Sequence, residues 1–117
     1  MADSIKLNSV SLSYQVGERT VLAVDDVSFE VEASEFLCIV GPSGCGKTTI
    51  LNMIAGFLTP SVGEILISGT PIRQANANRG VVFQDSAQLF PWRTAQRNIE
   101  FGLEMRGVPK AERRETA

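Results

Sequence analysis

Apolar and polar positions in the first third of the chain alternate with the two-residue period of strands. Ile5 and Leu7 set one phase, and Val10, Leu12 and Tyr14 continue on a shifted one, predicting a strand over 5–14 with a bulge where the phase slips. Gly17-Glu18-Arg19 reads as a hairpin turn, Thr20 to Val24 as an extended run, and Ser28 to Glu32 as a half-buried strand. Asp25 and Asp26 look like a turn between two short strands, because Asp readily bonds its own backbone there. After another turn at Ala33-Ser34-Glu35 comes Phe36-Leu37-Cys38-Ile39-Val40, an unbroken apolar run of the kind buried on both faces of a parallel sheet.

The period then changes. Ile50, Leu51, Ile54 and Leu58 recur at helical spacing, predicting a helix that opens near Gly46. Leu58 to Gly63 is dense in turn formers, Glu64 to Ile67 reads as a strand, and Thr70 to Ile72 as a short extended piece beyond the Ser68-Gly69 turn. Ala75 to Gly80 is polar loop, and Gly80-Val81-Val82-Phe83-Gln84 a short buried strand. Thr94 is placed to cap a helix running through Met105, with Ile99 and Leu103 on one face; Gly107-Val108-Pro109 ends it, and the charged Lys110 to Ala117 begins another.

Strand, glycine loop and helix therefore occur in the order a phosphate-binding loop needs, and the loop itself reads Gly41-Pro42-Ser43-Gly44-Cys45-Gly46-Lys47-Thr48-Thr49. Glycines let the backbone curl so that its N–H groups approach an anion unobstructed, and the helix start adds the positive end of its dipole. Lys47 can reach the β- and γ-phosphates of a nucleotide as a point charge, and the Thr48 hydroxyl can sit on Mg²⁺. Val21 to Asp26 imitates an apolar run ending in a magnesium-holding acid, but it precedes the loop and reads better as the turn.

Composition narrows the alternatives. The 117 residues suit one small domain, and a net charge of −2 gives no global basic field for nucleic acid or anionic lipid. No apolar stretch approaches the roughly 18 residues of a membrane helix, and the N-terminus lacks a signal-peptide pattern, so a cytoplasmic location is expected. Cys38 and Cys45 without any histidine make neither a disulfide framework nor a zinc site. Cys38 reads as a small core hydrophobe, and Cys45 as a thiol that bound nucleotide would shield from modifying reagents.

Over essentially its whole length the chain resembles the ATP-binding subunits of ABC transporters. The resemblance rests on Asp25-Asp26-Val27-Ser28-Phe29, the phosphate loop, Ser61-Val62-Gly63-Glu64-Ile65 and Val81-Val82-Phe83-Gln84, in family order and spacing. Leu89-Phe90-Pro91-Trp92-Arg93-Thr94 followed by Asn98-Ile99 is similar to the importer branch for nitrate, aliphatic sulfonates and taurine. The implied fold is an α/β P-loop NTPase with a mixed sheet and a flanking antiparallel β-subdomain. Residues 1–85 would form the β-subdomain and P-loop core, and 86–117 the Q-loop and the start of the helical subdomain.

The resemblance also implies roles. Tyr14 corresponds to the aromatic that stacks on adenine, with a strand-end aromatic in the core as the lesser alternative. Gln84 corresponds to the glutamine that touches Mg²⁺ and the attacking water. Catalysis would then involve Lys47 and Gln84, with ATP and Mg²⁺ bound by Tyr14 and residues 41–49. Leu89, Phe90, Pro91 and Trp92 fall where a transmembrane permease subunit docks; covering the domain's own helical layer is the alternative. A second nucleotide-binding subunit is implied as partner, nucleic acid is not, and the location implied is peripheral, on the cytoplasmic face of the membrane. Family members are about twice as long, and no L-S-G-G-Q signature, Walker B acids or switch histidine occurs here. Asn78-Arg79-Gly80 stands where this branch usually has Asp-Arg-Gly. The chain thus reads as the N-terminal part of such a domain, able to bind Mg-ATP but not expected to hydrolyse it alone. Non-transport ATPases with an ABC-type head carry heptads or Cys-x-x-Cys insertions that are missing here; a short non-catalytic nucleotide- or partner-binding module is the remaining alternative.

Overall fold

The computed structural model describes residues 3–85 and 88–117, which fall into two units divided between Ala75 and Asn76. In the first unit, strands β1 (Ile5–Val16) and β2 (Arg19–Val31) form a long hairpin. Helix α1 (Lys47–Ala55) follows, then β3 (Val62–Ile67) and β4 (Thr70–Pro71). The sheet order is β2-β1-β3-β4, every pairing antiparallel.

The phase slip in β1 is a bulge. Leu7 pairs with Phe29 and Val10 with Val27, so Asn8 and Ser9 together oppose Ser28. Ser9 takes φ 46°, and its N–H donates to Ser28 Oγ at 2.8 Å. The extra residue turns Val10 and Leu12 to the face that already holds Leu7, and all three are buried there with Val24, Ile65, Ile50 and Met53 of α1. Each fully buried side chain of this size contributes about 1.5–3 kcal/mol, so this single face, closed by α1, carries the first unit's core. Ile5, Val27, Phe29, Ile54, Leu58 and Ile72 pack around it.

Asp25 and Asp26 do not form a turn between separate strands; β2 runs straight through them. Val10 pairs with Val27 and Leu12 with Val24, so the two aspartates share one opposing residue, Ser11. Asp26 adopts φ 43° and donates its N–H to Ser11 Oγ at 2.9 Å. A bulge needs the same left-handed, self-bonding residue that a turn needs, which is why the two read alike in sequence.

Two expected strands are not formed. Phe36 to Val40 and Gly80 to Gln84 have no ladder, and Phe36 and Val40 are 89% and 87% exposed. A parallel strand is stabilised only by neighbours along its edges and layers on its faces, and among the described residues no parallel pairing exists. Cys38 is accordingly exposed and not a core residue.

In the second unit, α2 (Ala95–Met105) starts where predicted, with the Thr94 side chain accepting the Arg97 N–H at 3.2 Å. Gly107 and Val108 return their N–H groups to Glu104 and Leu103, closing the helix. Helix α3 (Lys110–Thr116) follows and packs against α2. Between them Glu100, only 5% exposed, faces Arg113 at 3.7 Å.

Candidate functional site

The loop before α1 has the geometry its sequence demands. Gly44 and Gly46 take φ 80° and 98°, both in the region that side chains rarely adopt. Cys45 N–H turns back to the Pro42 carbonyl at 3.3 Å, and Gly46 is the N-cap of α1, its carbonyl accepting the Ile50 N–H at 3.0 Å. Gly46 has no side chain to cap the helix, so the first-turn N–H groups are left for an external acceptor.

What fixes the loop against the sheet is a third irregularity. Leu12 pairs with Val24 and Ser13 with Leu22, leaving Ala23 without a register partner. That bulge brings Ala23 to the loop: a Cβ at Gly46 would lie 2.9 Å from the Ala23 carbonyl oxygen and 3.3 Å from Val24 Cγ2. A Cβ at Gly44 would meet nothing within 4 Å. One glycine is thus pressed against β2, while the other faces open space, where a ligand's oxygens can approach.

Lys47 is half-buried and folds over its own loop, donating to the carbonyls of Gly41 at 2.5 Å and Pro42 at 2.7 Å, with Cys45 Sγ at 3.5 Å. Its ammonium is held at the loop by acceptors that a bound phosphate can replace. Pro42, Ser43, Cys45 and Thr48 are exposed, and Thr49 is half-buried. The open side at Gly44, the uncapped helix start and the ammonium make a donor set that fits a phosphate chain.

Tyr14 follows Leu12 at the strand period and so lies on the face of the sheet that carries α1, beyond its cover and 39% exposed. It pairs with Val21, two residues along β2 from Ala23, the residue beneath Gly46. The core reading of this aromatic is not what is observed. Gln84 belongs to the second unit and is exposed in a bend. Around it Gln88 accepts the Phe83 N–H at 3.1 Å and donates to the carbonyls of Phe83 and Asp85. Nothing in the hydrophobic pattern singles out Gln88; only its backbone partners reveal it.

Leu89 and Trp92 are 75% and 76% exposed, Pro91 is exposed, and Phe90 is half-buried against Phe101, with ring centroids 4.7 Å apart. Three of the four residues therefore do not cover the unit's own helices. Among the described residues there is no cluster of acids, cysteines or histidines able to hold a metal, and no helix long and apolar enough to cross a membrane.

Comparison with known proteins agrees with this geometry. Residues 24–117 match the family model described as ABC transporter. The chain is 44% identical, over all 117 residues, to an uncharacterized ABC transporter ATP-binding protein of Methanocaldococcus jannaschii, covering 43% of that protein. It is 50% identical over 95 residues to a taurine import ATP-binding protein of Yersinia pestis, or 81% of this chain and 37% of that one. The chain thus spans about two fifths of the length of the curated relatives it matches. Among solved structures, a dimeric ATP-binding cassette in a post-hydrolysis state, bound to ADP and Pi, aligns with TM-score 0.79 at 32% identity, over 95% of this chain and 53% of the other. An Atm1-family bacterial ABC exporter with ATP bound aligns with TM-score 0.70 at 36% identity, over 86% and 18%. With a glycine loop of this form before α1 and a family match over four fifths of its residues, the chain belongs to the ABC transporter family.

Proposed function

We propose that this chain is the phosphate-cradling part of the ATP-binding, energy-coupling subunit of an importer of the nitrate, sulfonate and taurine kind. The observation that carries the proposal is the Gly41–Thr49 loop, anchored to β2 at Gly46 and carrying Lys47 over its mouth. The backbone N–H groups of residues 44–48 cradle the phosphates, and Lys47 exchanges the carbonyls of Gly41 and Pro42 for β- and γ-phosphate oxygens. Tyr14 offers its ring to adenine, and the Thr48 hydroxyl, at the start of α1, would hold Mg²⁺. That ion supplies charge neutralisation on the transferring phosphoryl group. No acidic pair follows an apolar run after Gln84, and no histidine occurs, so these residues bind Mg-ATP without supplying a base for water.

The importer assignment is supported by the taurine-import relatives and by the exposed Leu89, Pro91 and Trp92, an apolar surface suited to a transmembrane permease subunit. Such a subunit works as a dimer at the cytoplasmic face of the membrane. Titration with a fluorescent ATP analogue and Mg²⁺ tests the cradle: saturable binding that is clearly weakened in Lys47→Ala is expected, and equal affinity in the variant refutes it. Capture of the cognate permease subunit by the wild type but not by Trp92→Ala is the expected mark of the importer; capture indifferent to Trp92 removes that surface.

A further inference from the structure

Resting on the reading of Leu89–Trp92 as the partner-facing surface, we infer that Asn98 is the positioning residue that holds this segment in its presenting shape. Asn98 sits one turn into α2, half-buried, and its carboxamide faces backward onto the segment. The Phe90 N–H donates to Asn98 Oδ1 at 2.8 Å. Asn98 Nδ2 in turn donates toward the carbonyls of Phe90 at 3.2 Å, Arg93 at 3.3 Å and Thr94 at 3.0 Å. One side chain therefore satisfies both backbone groups of Phe90 and fastens two more carbonyls of the entry to α2.

The chemistry is narrow. A carboxamide is the one short side chain that presents an acceptor and an N–H₂ donor pair side by side, here with two hydrogens shared among three carbonyls. Aspartate keeps the acceptor for Phe90 N–H but turns a second oxygen against those carbonyls, and alanine provides neither. Because Asn98 is half-buried, these bonds are partly shielded from exchange with water.

A second set of contacts shows what the clamp accomplishes. Phe90, fixed at its backbone, turns its ring inward, 4.7 Å from Phe101 and 5.3 Å from Trp92. The Arg93 guanidinium lies over Phe90 at 5.5 Å and Phe101 at 5.1 Å, and is bonded to Glu104 at 2.7 Å. With Phe90 and Arg93 committed to the unit, Leu89 and Trp92 remain outward. An apolar surface held in this way meets its partner with less ordering left to lose, which is the advantage of preorganisation.

The test is backbone order in the 117-residue chain, read by ¹⁵N relaxation at Phe90 and Trp92, with Trp92, the only tryptophan, as a second reporter through its fluorescence anisotropy. In Asn98→Ala the order parameters fall from the rigid range near ~0.85 to below about 0.6, while the circular dichroism of the helices is kept. Asn98→Asp, which retains the acceptor, shows a loss in the same sense and serves if the alanine variant does not fold. Thr94→Ala is the comparator, because it removes the cap of α2 and leaves the Asn98 contacts in place. Unchanged order in both Asn98 variants overturns the proposal. An equal loss in Thr94→Ala also overturns it, since the effect would then be fraying of α2. Failure of permease capture to depend on Trp92 sinks the surface reading alone and leaves the order measurement standing.

Discussion

Replacing Gly46 and Gly44 separately by alanine tests whether the phosphate loop is set by contact with β2 or by its own turn. Both glycines have positive φ, so each alanine carries the left-handed penalty of about 1–2 kcal/mol. At Gly44 that is the whole effect, because the added methyl meets open space. At Gly46 the methyl lies 2.9 Å from the Ala23 carbonyl oxygen, inside ordinary contact, and neither atom belongs to a flexible side chain. The start of α1 and β2 must part, adding an overpacking cost of about 1–3 kcal/mol. Thermal unfolding should therefore shift by about 4–8 °C per kcal/mol in a unit of this size, with Gly46→Ala displaced about 1.5 to 4 times as far as Gly44→Ala. Binding of the fluorescent ATP analogue separates the two again. The Gly46 variant loses affinity because its helix start has moved, and the Gly44 variant loses it because a methyl fills the ligand's side of the loop. Equal melting temperatures for the two variants would show that Ala23 does not support the loop.

Lys47→Ala should weaken nucleotide binding about 10- to 100-fold, the worth of a charge-assisted contact, with little change in melting, as measured by titration and calorimetry. Met53→Ala, under the sheet at 1% exposure, should cost about 2–5 kcal/mol in a denaturant titration. Glu104 is held below its ordinary pKa first by the hydrogen bond from Arg93 and then by the charges of Arg93, Arg113 and Arg97. A lowered folded-state pKa contributes stability above the unfolded value and loses it as pH falls through the folded one. Glu104→Gln should accordingly melt below wild type at neutral pH, and the gap should close on acidification; a gap independent of pH would refute the assignment.

Local structure was legible wherever the sequence carries its own reason. The loop glycines, the Thr94 cap and the β1 phase slip each depend on neighbours within a few residues, and each appears as expected. Asp25-Asp26 misled because bulge and turn use the same residue chemistry, and only the pairing of β2 with β1 tells them apart. Phe36 to Val40 misled because an apolar β-rich run reports what a segment would bury, not what is there to bury it. The contacts of Gln88 and Asn98 have no periodic signature at all. Their value lies in which backbone groups happen to face them.

The two apolar runs without a ladder have a consequence for handling the molecule. Phe36 to Val40 holds five uncharged, strand-prone residues, and Val82 and Phe83 are likewise exposed. Segments of this kind pair readily with copies of themselves. Loss of material should then be a second-order process, faster at higher concentration and accelerated by kosmotropic salt. The practical lifetime of this chain in solution would be set by how often two molecules meet, and a charge placed at Val40 should lengthen it without moving the melting temperature.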